Sequence, residues 1–196
     1  MPVCSSPVDA AILADYWLAK LTEPEQDAVE EHLMACDRCG EQLRRIVSLA
    51  EGLRDLARSG TLRMIVSDGF VKRAAQNGAR VREYAMPPGG RVECTVTAED
   101  DFLIGRLATD ITNATRVDLS MCDANGVEQI RLPDIPFPSG PGSIVLQESI
   151  SYAKDAPSMK MIARLVAVES SGEERQLGEY TFNHTRTMPG PGRFIF

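Results

Sequence analysis

The chain has 196 residues, 43% of them apolar and 25% charged, which is ordinary globular usage and long enough for one large domain or two small ones. A net charge of −7 argues against non-specific binding to nucleic acid or to an anionic membrane surface, and favours partners with a basic face. The five cysteines (Cys4, Cys36, Cys39, Cys94 and Cys122) are odd in number and sparse, unlike a secreted disulfide framework.

The opening Met1-Pro2-Val3-Cys4-Ser5-Ser6-Pro7 has neither the charged nor the apolar region of a secretory signal, and its Ser5-Ser6-Pro7 reads as flexible. No apolar run approaches the ~18–20 residues that span a bilayer. A soluble cytoplasmic protein is therefore the expectation. Asp9 can cap a first helix that carries Ile12, Leu13, Tyr16 and Trp17 on one stripe. Thr22-Glu23-Pro24-Glu25 is a capping-box start with proline in the first turn, where its missing N–H costs nothing. The helix it opens carries Ala28, Val29, His32 and Leu33 on one side. A third helix should start near Asp37, bury Leu43, Ile46, Val47, Ala50, Leu53 and Ala57, and end at Ser59-Gly60. Residues 61–76 read as a fourth helix with Leu62, Ile65, Val66, Phe70, Val71 and Ala74 on its apolar side; Ser67-Asp68-Gly69 could break it, and Asn77-Gly78 stops it.

Beyond Gly78 the apolar period becomes two. Val92, Cys94 and Val96 alternate with polar neighbours, as do Val117, Leu119 and Met121, and residues 159–168 and 177–182 are further strand candidates. Turns are expected at Pro87-Pro88-Gly89-Gly90, Asp123-Ala124-Asn125-Gly126, Ser139-Gly140-Pro141-Gly142 and Ser170-Ser171-Gly172. Three prolines bar residues 132–138 from a central strand and suggest a long crossing loop. Cys94 and Cys122 fall in apolar segments and read as small buried hydrophobes. The fold expected is α+β: a small helical bundle over residues 1–77, then an antiparallel β-sandwich-like domain of about seven to nine strands over residues 78–196.

The chemistry concentrates in His32-Leu33-Met34-Ala35-Cys36-Asp37-Arg38-Cys39. On a helix His32 and Cys36 would share a face, and Cys39 follows in a Cys-x-x-Cys turn. An imidazole and two thiolates supply three of the four positions of a tetrahedral zinc site. Cys4 is the best candidate for the fourth; Asp9, Asp15, a water or His184 are the alternatives. A redox Cys-x-x-Cys fits less well, because that motif opens a helix after a strand in a βαβ setting.

Residues 16–25 (Tyr-Trp-Leu-Ala-Lys-Leu-Thr-Glu-Pro-Glu) and 29–39 (Val-Glu-Glu-His-Leu-Met-Ala-Cys-Asp-Arg-Cys) resemble the zinc-binding anti-sigma factors. The resemblance covers about residues 4–76. It implies that His32, Cys36 and Cys39 are zinc ligands, with Cys4 answering loosely to the upstream one. It also implies an extracytoplasmic-function sigma factor as partner, held away from core RNA polymerase, and a helix that packs between two sigma regions. Leu62, Ile65, Val66, Phe70 and Val71 would then be partner contacts; the other reading of that stripe is docking against the β domain. Without a membrane-spanning segment the chain resembles the soluble cytoplasmic branch of the family, and a single histidine in the β domain argues against a metal-binding cupin there.

Catalytic constellations are thin. Glu99-Asp100-Asp101 and Glu173-Glu174-Arg175 read as solvated turns, and His184 has no evident nucleophile beside it. No enzymatic activity is expected. The alternative to an anti-sigma factor is a zinc-stapled interaction module with no sigma partner, whose β-sandwich binds a small ligand or another protein. A zinc enzyme with an open coordination position comes third.

Overall fold

The structure is a computed structural model that describes residues 4, 6–112, 114–138 and 140–192. It divides into two compact units, Met1–Leu56 and Ala57–Phe196. Ser5 and Ser139, which entered two of the sequence expectations, lie outside the described residues.

The first unit holds α1 (Ala10–Trp17), α2 (Glu23–Ala35) and most of α3 (Asp37–Arg58). The local signals act as expected. The Asp9 carboxylate accepts from the Ala11 N–H at 2.7 Å and caps α1. At the start of α2 the Thr22 N–H donates to the Glu25 carboxylate at 2.9 Å, and Pro24 occupies the first turn. Hydrogen bonds from the Thr22 hydroxyl and N–H lower the Glu25 pKa. Tyr16 donates to Glu30 at 3.2 Å, and the Arg54 guanidinium lies 4.4 Å from the centre of the Trp17 ring.

The buried face expected on α3 forms only in part. Leu43, Ile46, Val47, Ala50 and Ala57 are half-buried and Leu53 is exposed; Cys39 is the buried residue of the helix. Length explains the difference. At 1.5 Å per residue α3 runs ~33 Å, whereas α1 and α2 reach only ~12 and ~20 Å, too short to cover it.

The second unit, among the described residues, comprises β1 (Met64–Ile65), α4 (Asp68–Gln76), β2 (Val81–Met86), β3 (Arg91–Cys94), β4 (Phe102–Ile111), β5 (Arg116–Cys122), β6 (Glu128–Leu132), β7 (Gly140–Glu148), α5 (Ile150–Asp155), β8 (Met159–Val168) and β9 (Glu174–His184). The strands form two sheets, ordered β1-β7-β4-β2 and β3-β9-β8-β5-β6. The α+β class and the helices-then-sheets order hold, but the sheets are mixed. β2 runs parallel to β4, and β3 parallel to β9. Pro87-Pro88-Gly89-Gly90 explains this, because it does not close a hairpin. With Gly89 at φ +73°, it carries the chain from an edge of one sheet to an edge of the other.

The fourth helix is shorter than its apolar pattern. Ser67 caps it, accepting from the Phe70 N–H at 3.2 Å, so the helix covers only Asp68–Gln76. Met64 and Ile65 instead pair with Gln147 and Leu146 on β7. Residues 57–77, read from sequence with the helical domain, therefore group with the β unit. Likewise Gly140–Gly142 belongs to β7 rather than to a turn, with Pro141 opposite Asp110. Proline is tolerated there because β1 reaches only Leu146 and Gln147, which leaves the other edge of β7 unladdered at Pro141. Residues 133–138 do lie outside the strands and cross from one sheet to the other, and Ile135 in that segment is buried, its N–H donating to Val117 at 2.8 Å.

The core between the sheets centres on Leu107, Val117, Leu119, Leu165 and Tyr180, all buried. The Tyr180 hydroxyl donates to the Ala108 carbonyl at 2.6 Å, which satisfies its polar end. Gly105 on β4 stands where an added Cβ would lie 3.3 Å from the Phe182 ring, so the ring fits against bare backbone. Asp118 is fully buried, bridged to Arg116 at 3.0 Å and Arg131 at 2.9 Å. Burial alone would raise its pKa, but the bonds from Arg116, the Asp134 N–H and Arg131 bring it down to about 2. No helix among the described residues is long and apolar enough to cross a membrane.

Candidate metal centre

Helix α2 ends because Cys36 leaves the helical region, at φ −135° and ψ 95°. His32 sits in the last turn of α2, Cys36 at the junction, and Cys39 in the first turn of α3. Cys36 is thus not one helical turn above His32 on a common face, as the spacing suggested. It stands at the corner, where the Cys39 N–H donates to its sulfur and the Gly40 N–H to its carbonyl at 3.1 Å. In effect Cys36 caps α3. The bond from the Cys39 backbone, then that from the Cys4 thiol, lower its pKa to about 7. An N-terminal thiol of this kind ionises readily, which is the form that binds metal.

Cys4 supplies the fourth donor. One donor atom each from Cys4, His32, Cys36 and Cys39 all lie within 4.8 Å of one another. His32 Nε2 is 3.2 Å from Cys39 Sγ and 3.7 Å from Cys4 Sγ. Tetrahedral bonds of about 2.3 Å to sulfur and about 2.0–2.1 Å to nitrogen put neighbouring S and N ligands roughly 3.5 Å apart, midway between those two separations. Cys39 is fully buried and the other three are half-buried. Asp15 is not among the residues whose donor atoms converge, and two other candidates are placed elsewhere. The Asp9 carboxylate caps α1, and His184 ends β9.

The donor set fits zinc. Three thiolates and one imidazole are the soft and borderline ligands that a structural zinc takes, and four protein donors fill a tetrahedral shell. A family model described as a putative zinc-finger matches residues 11–40. That segment contains α1, α2 and the start of α3, with His32, Cys36 and Cys39 but not Cys4. No curated protein matches the chain. The N-terminal part of this chain therefore carries a zinc-finger-type Cys/His cluster, and zinc is its metal.

The residues expected to meet a partner are placed differently. Ile65 packs on the main core of the β unit, while Val66, Phe70 and Val71 join Ile104 and Val145 in a second cluster. Phe70 stacks edge-to-face on Phe102 at 5.8 Å, and the Leu62 carbonyl accepts from Gln147 at 2.9 Å. This stripe docks on the sheet, the second of its two readings, because capture of residues 64 and 65 by β7 pulls the flanking apolar residues onto the same surface.

Exposed apolar surface lies on α3 instead. Leu49 is 66% exposed, Leu53 49% and Leu56 46%, on one helical face by their spacing of four and three. Sequence reading missed Leu49 and Leu56. The available signal was width: with Leu43, Ile46 and Val47, these residues spread apolar side chains over about half the helix circumference, more than one packing neighbour can cover.

Proposed function

We propose that this chain is an anti-sigma factor that binds and inhibits an extracytoplasmic-function sigma factor. Zinc, held by Cys4, His32, Cys36 and Cys39, would fix α2 against α3 and so present the helical face that the sigma factor meets. The observation that carries this reading is the convergence of four zinc donors on the α2–α3 junction, inside and just upstream of the segment matched by the zinc-finger model. That model is typical of anti-sigma factors. The exposed Leu49 and Leu53 supply an apolar surface for a partner, and the net negative charge suits a partner with basic regions.

On this reading the protein is non-enzymatic, belongs to the soluble branch of its kind and works in the cytoplasm. Zinc in a closed shell supplies structure rather than Lewis-acid chemistry. The chain's own residues do the rest: the cluster sets the helix angle, the capping box fixes the start of α2, and α3 carries the contact.

Co-expression with the sigma factor encoded beside it tests the reading. The pair should co-purify, transcription from the cognate promoter should fall, and Leu53→Glu should lose the partner while retaining zinc. Failure of the native chain to co-purify, together with unrepressed transcription, contradicts it.

A further inference from the structure

A chamber of about 40 Å³ lies inside the β unit, between the two sheets and beneath α5. Leu103, Ile104 and Leu146 wall it from one sheet, and Phe182 and Met161 from the other. It adjoins an open groove of about 640 Å³, and Met121, Met159, Met161, Tyr152 and Glu148, the last paired with Arg63 at 2.9 Å, line both spaces. Three methionines at a neck make an adaptable apolar passage, since the unbranched thioether chain follows an irregular ligand. The groove has the size of a small-molecule site, and the chamber behind it admits only a slender end.

One polar atom in this apolar chamber has no partner. His184, the last residue of β9, is 7% exposed, and its Nε2 makes no hydrogen bond among the described residues. It is flanked by Met159 on β8 and Cys94 on β3, both of which also line the chamber. The Ala153 carbonyl lies close enough to the imidazole to favour its N–H, and with Nε2 unpartnered the ring proton is assigned to Nδ1. That tautomer leaves Nε2 a lone-pair acceptor. A buried acceptor left unmet is costly, so a chamber wall that carries one suits a ligand that brings a donor.

We propose that the β unit binds a neutral, largely apolar small molecule whose slender end carries a hydroxyl or N–H group that donates to His184 Nε2. The methionine neck holds the apolar body and the groove accommodates the rest. Burial, and then the nearby Arg186 charge, lower the His184 pKa, which keeps the ring neutral and able to accept. Burial raises the Cys94 thiol to about 11, so it stays protonated beside the ligand as an apolar wall. A carboxylate offers no donor to this histidine and would enter beside the Glu148 carboxylate, with Arg63 already paired to that residue, so the site rejects anionic chains. This assignment stands apart from the sigma-factor reading, because it concerns the β unit alone.

The test uses the full zinc-loaded chain and three probes: 1-octanol, its isomer 1-methoxyheptane, which lacks the donor, and octanoate. Methyl resonances of Met121, Met159 and Met161 should shift saturably with 1-octanol, with the ether and octanoate about tenfold weaker or more. His184→Phe should abolish the preference for alcohol over ether, and Met161→Trp should block all three by filling the neck. Equal affinity for 1-octanol and 1-methoxyheptane on the native chain overturns the proposal. So does an absence of saturable shifts, or a Met161→Trp chain that titrates like the native one. If His184→Phe does not fold, the isomer comparison and Met161→Trp decide.

Discussion

The two units of this chain are held together by different means. The β unit encloses an extensive apolar core between two sheets, and Leu107, Leu119, Leu165 and Tyr180 in it are fully buried. In the helical unit the buried apolar residues, among those described, are Leu13, Val29 and Cys39, and the last of these is a metal donor. A unit of about 56 residues with so little buried side chain lies where a structural metal is usually needed. The lesson is one of size. The sheets can fold on hydrophobic burial, whereas the helices depend on an ion that ties three chain segments to one point.

The largest expected effect separates the units on that basis. Zinc removal by a chelator, or Cys39→Ser, should abolish the helical signal of α1–α3 and leave the sheet signal unchanged in circular dichroism. The converse break is Leu165→Ala, which should cost about 2–5 kcal/mol of β-unit stability in denaturant unfolding without altering zinc content.

A smaller effect comes from Asp118. Its folded pKa of about 2 lies below the ordinary carboxylate value of 3.8, so its contribution is fully present above the unfolded value and is lost as pH falls through the folded one. The β unit should lose on the order of 2 kcal/mol between about pH 5 and pH 1 on this account, and Asp118→Asn should flatten that slope. The smallest change sharpens the comparison on the helical side. Thr22→Ala removes half of the capping box and should cost about 1 kcal/mol, detected as a lower zinc-dependent melting temperature with the β transition unmoved.

Local chemistry was legible in the sequence where it acts through neighbours in the chain. Asp9 and the Thr22–Glu25 box sit where their spacing puts them, and His32, Cys36 and Cys39 do converge, although Cys36 stands at the helix corner rather than on the face of His32. Cys4 is the best fourth donor on sequence grounds, and the structure brings it to the cluster. What the sequence did not reveal depends on distant partners. Met64 and Ile65 look helical by period and become a strand only because β7 offers them an edge. β4 alternates in burial except at the adjoining buried Ile104 and Gly105, with one face meeting α4 and the other the core, and its half-buried positions carry apolar Leu103 and Ala108, which blurs the pattern in the sequence. The parallel pairings of β2 with β4 and of β3 with β9 follow from a turn that changes sheets, which no local pattern encodes. The unpartnered Nε2 of His184 was invisible for the same reason: its surroundings come from β3, β8 and α5.

X-ray absorption at the zinc edge of the purified chain tests the central claim most directly. One zinc per chain, with three sulfur ligands near 2.3 Å and one nitrogen near 2.0–2.1 Å, is the predicted result. A sulfur count of two with an oxygen in the shell, or a chain purified without zinc, would contradict a closed staple built from Cys4, His32, Cys36 and Cys39.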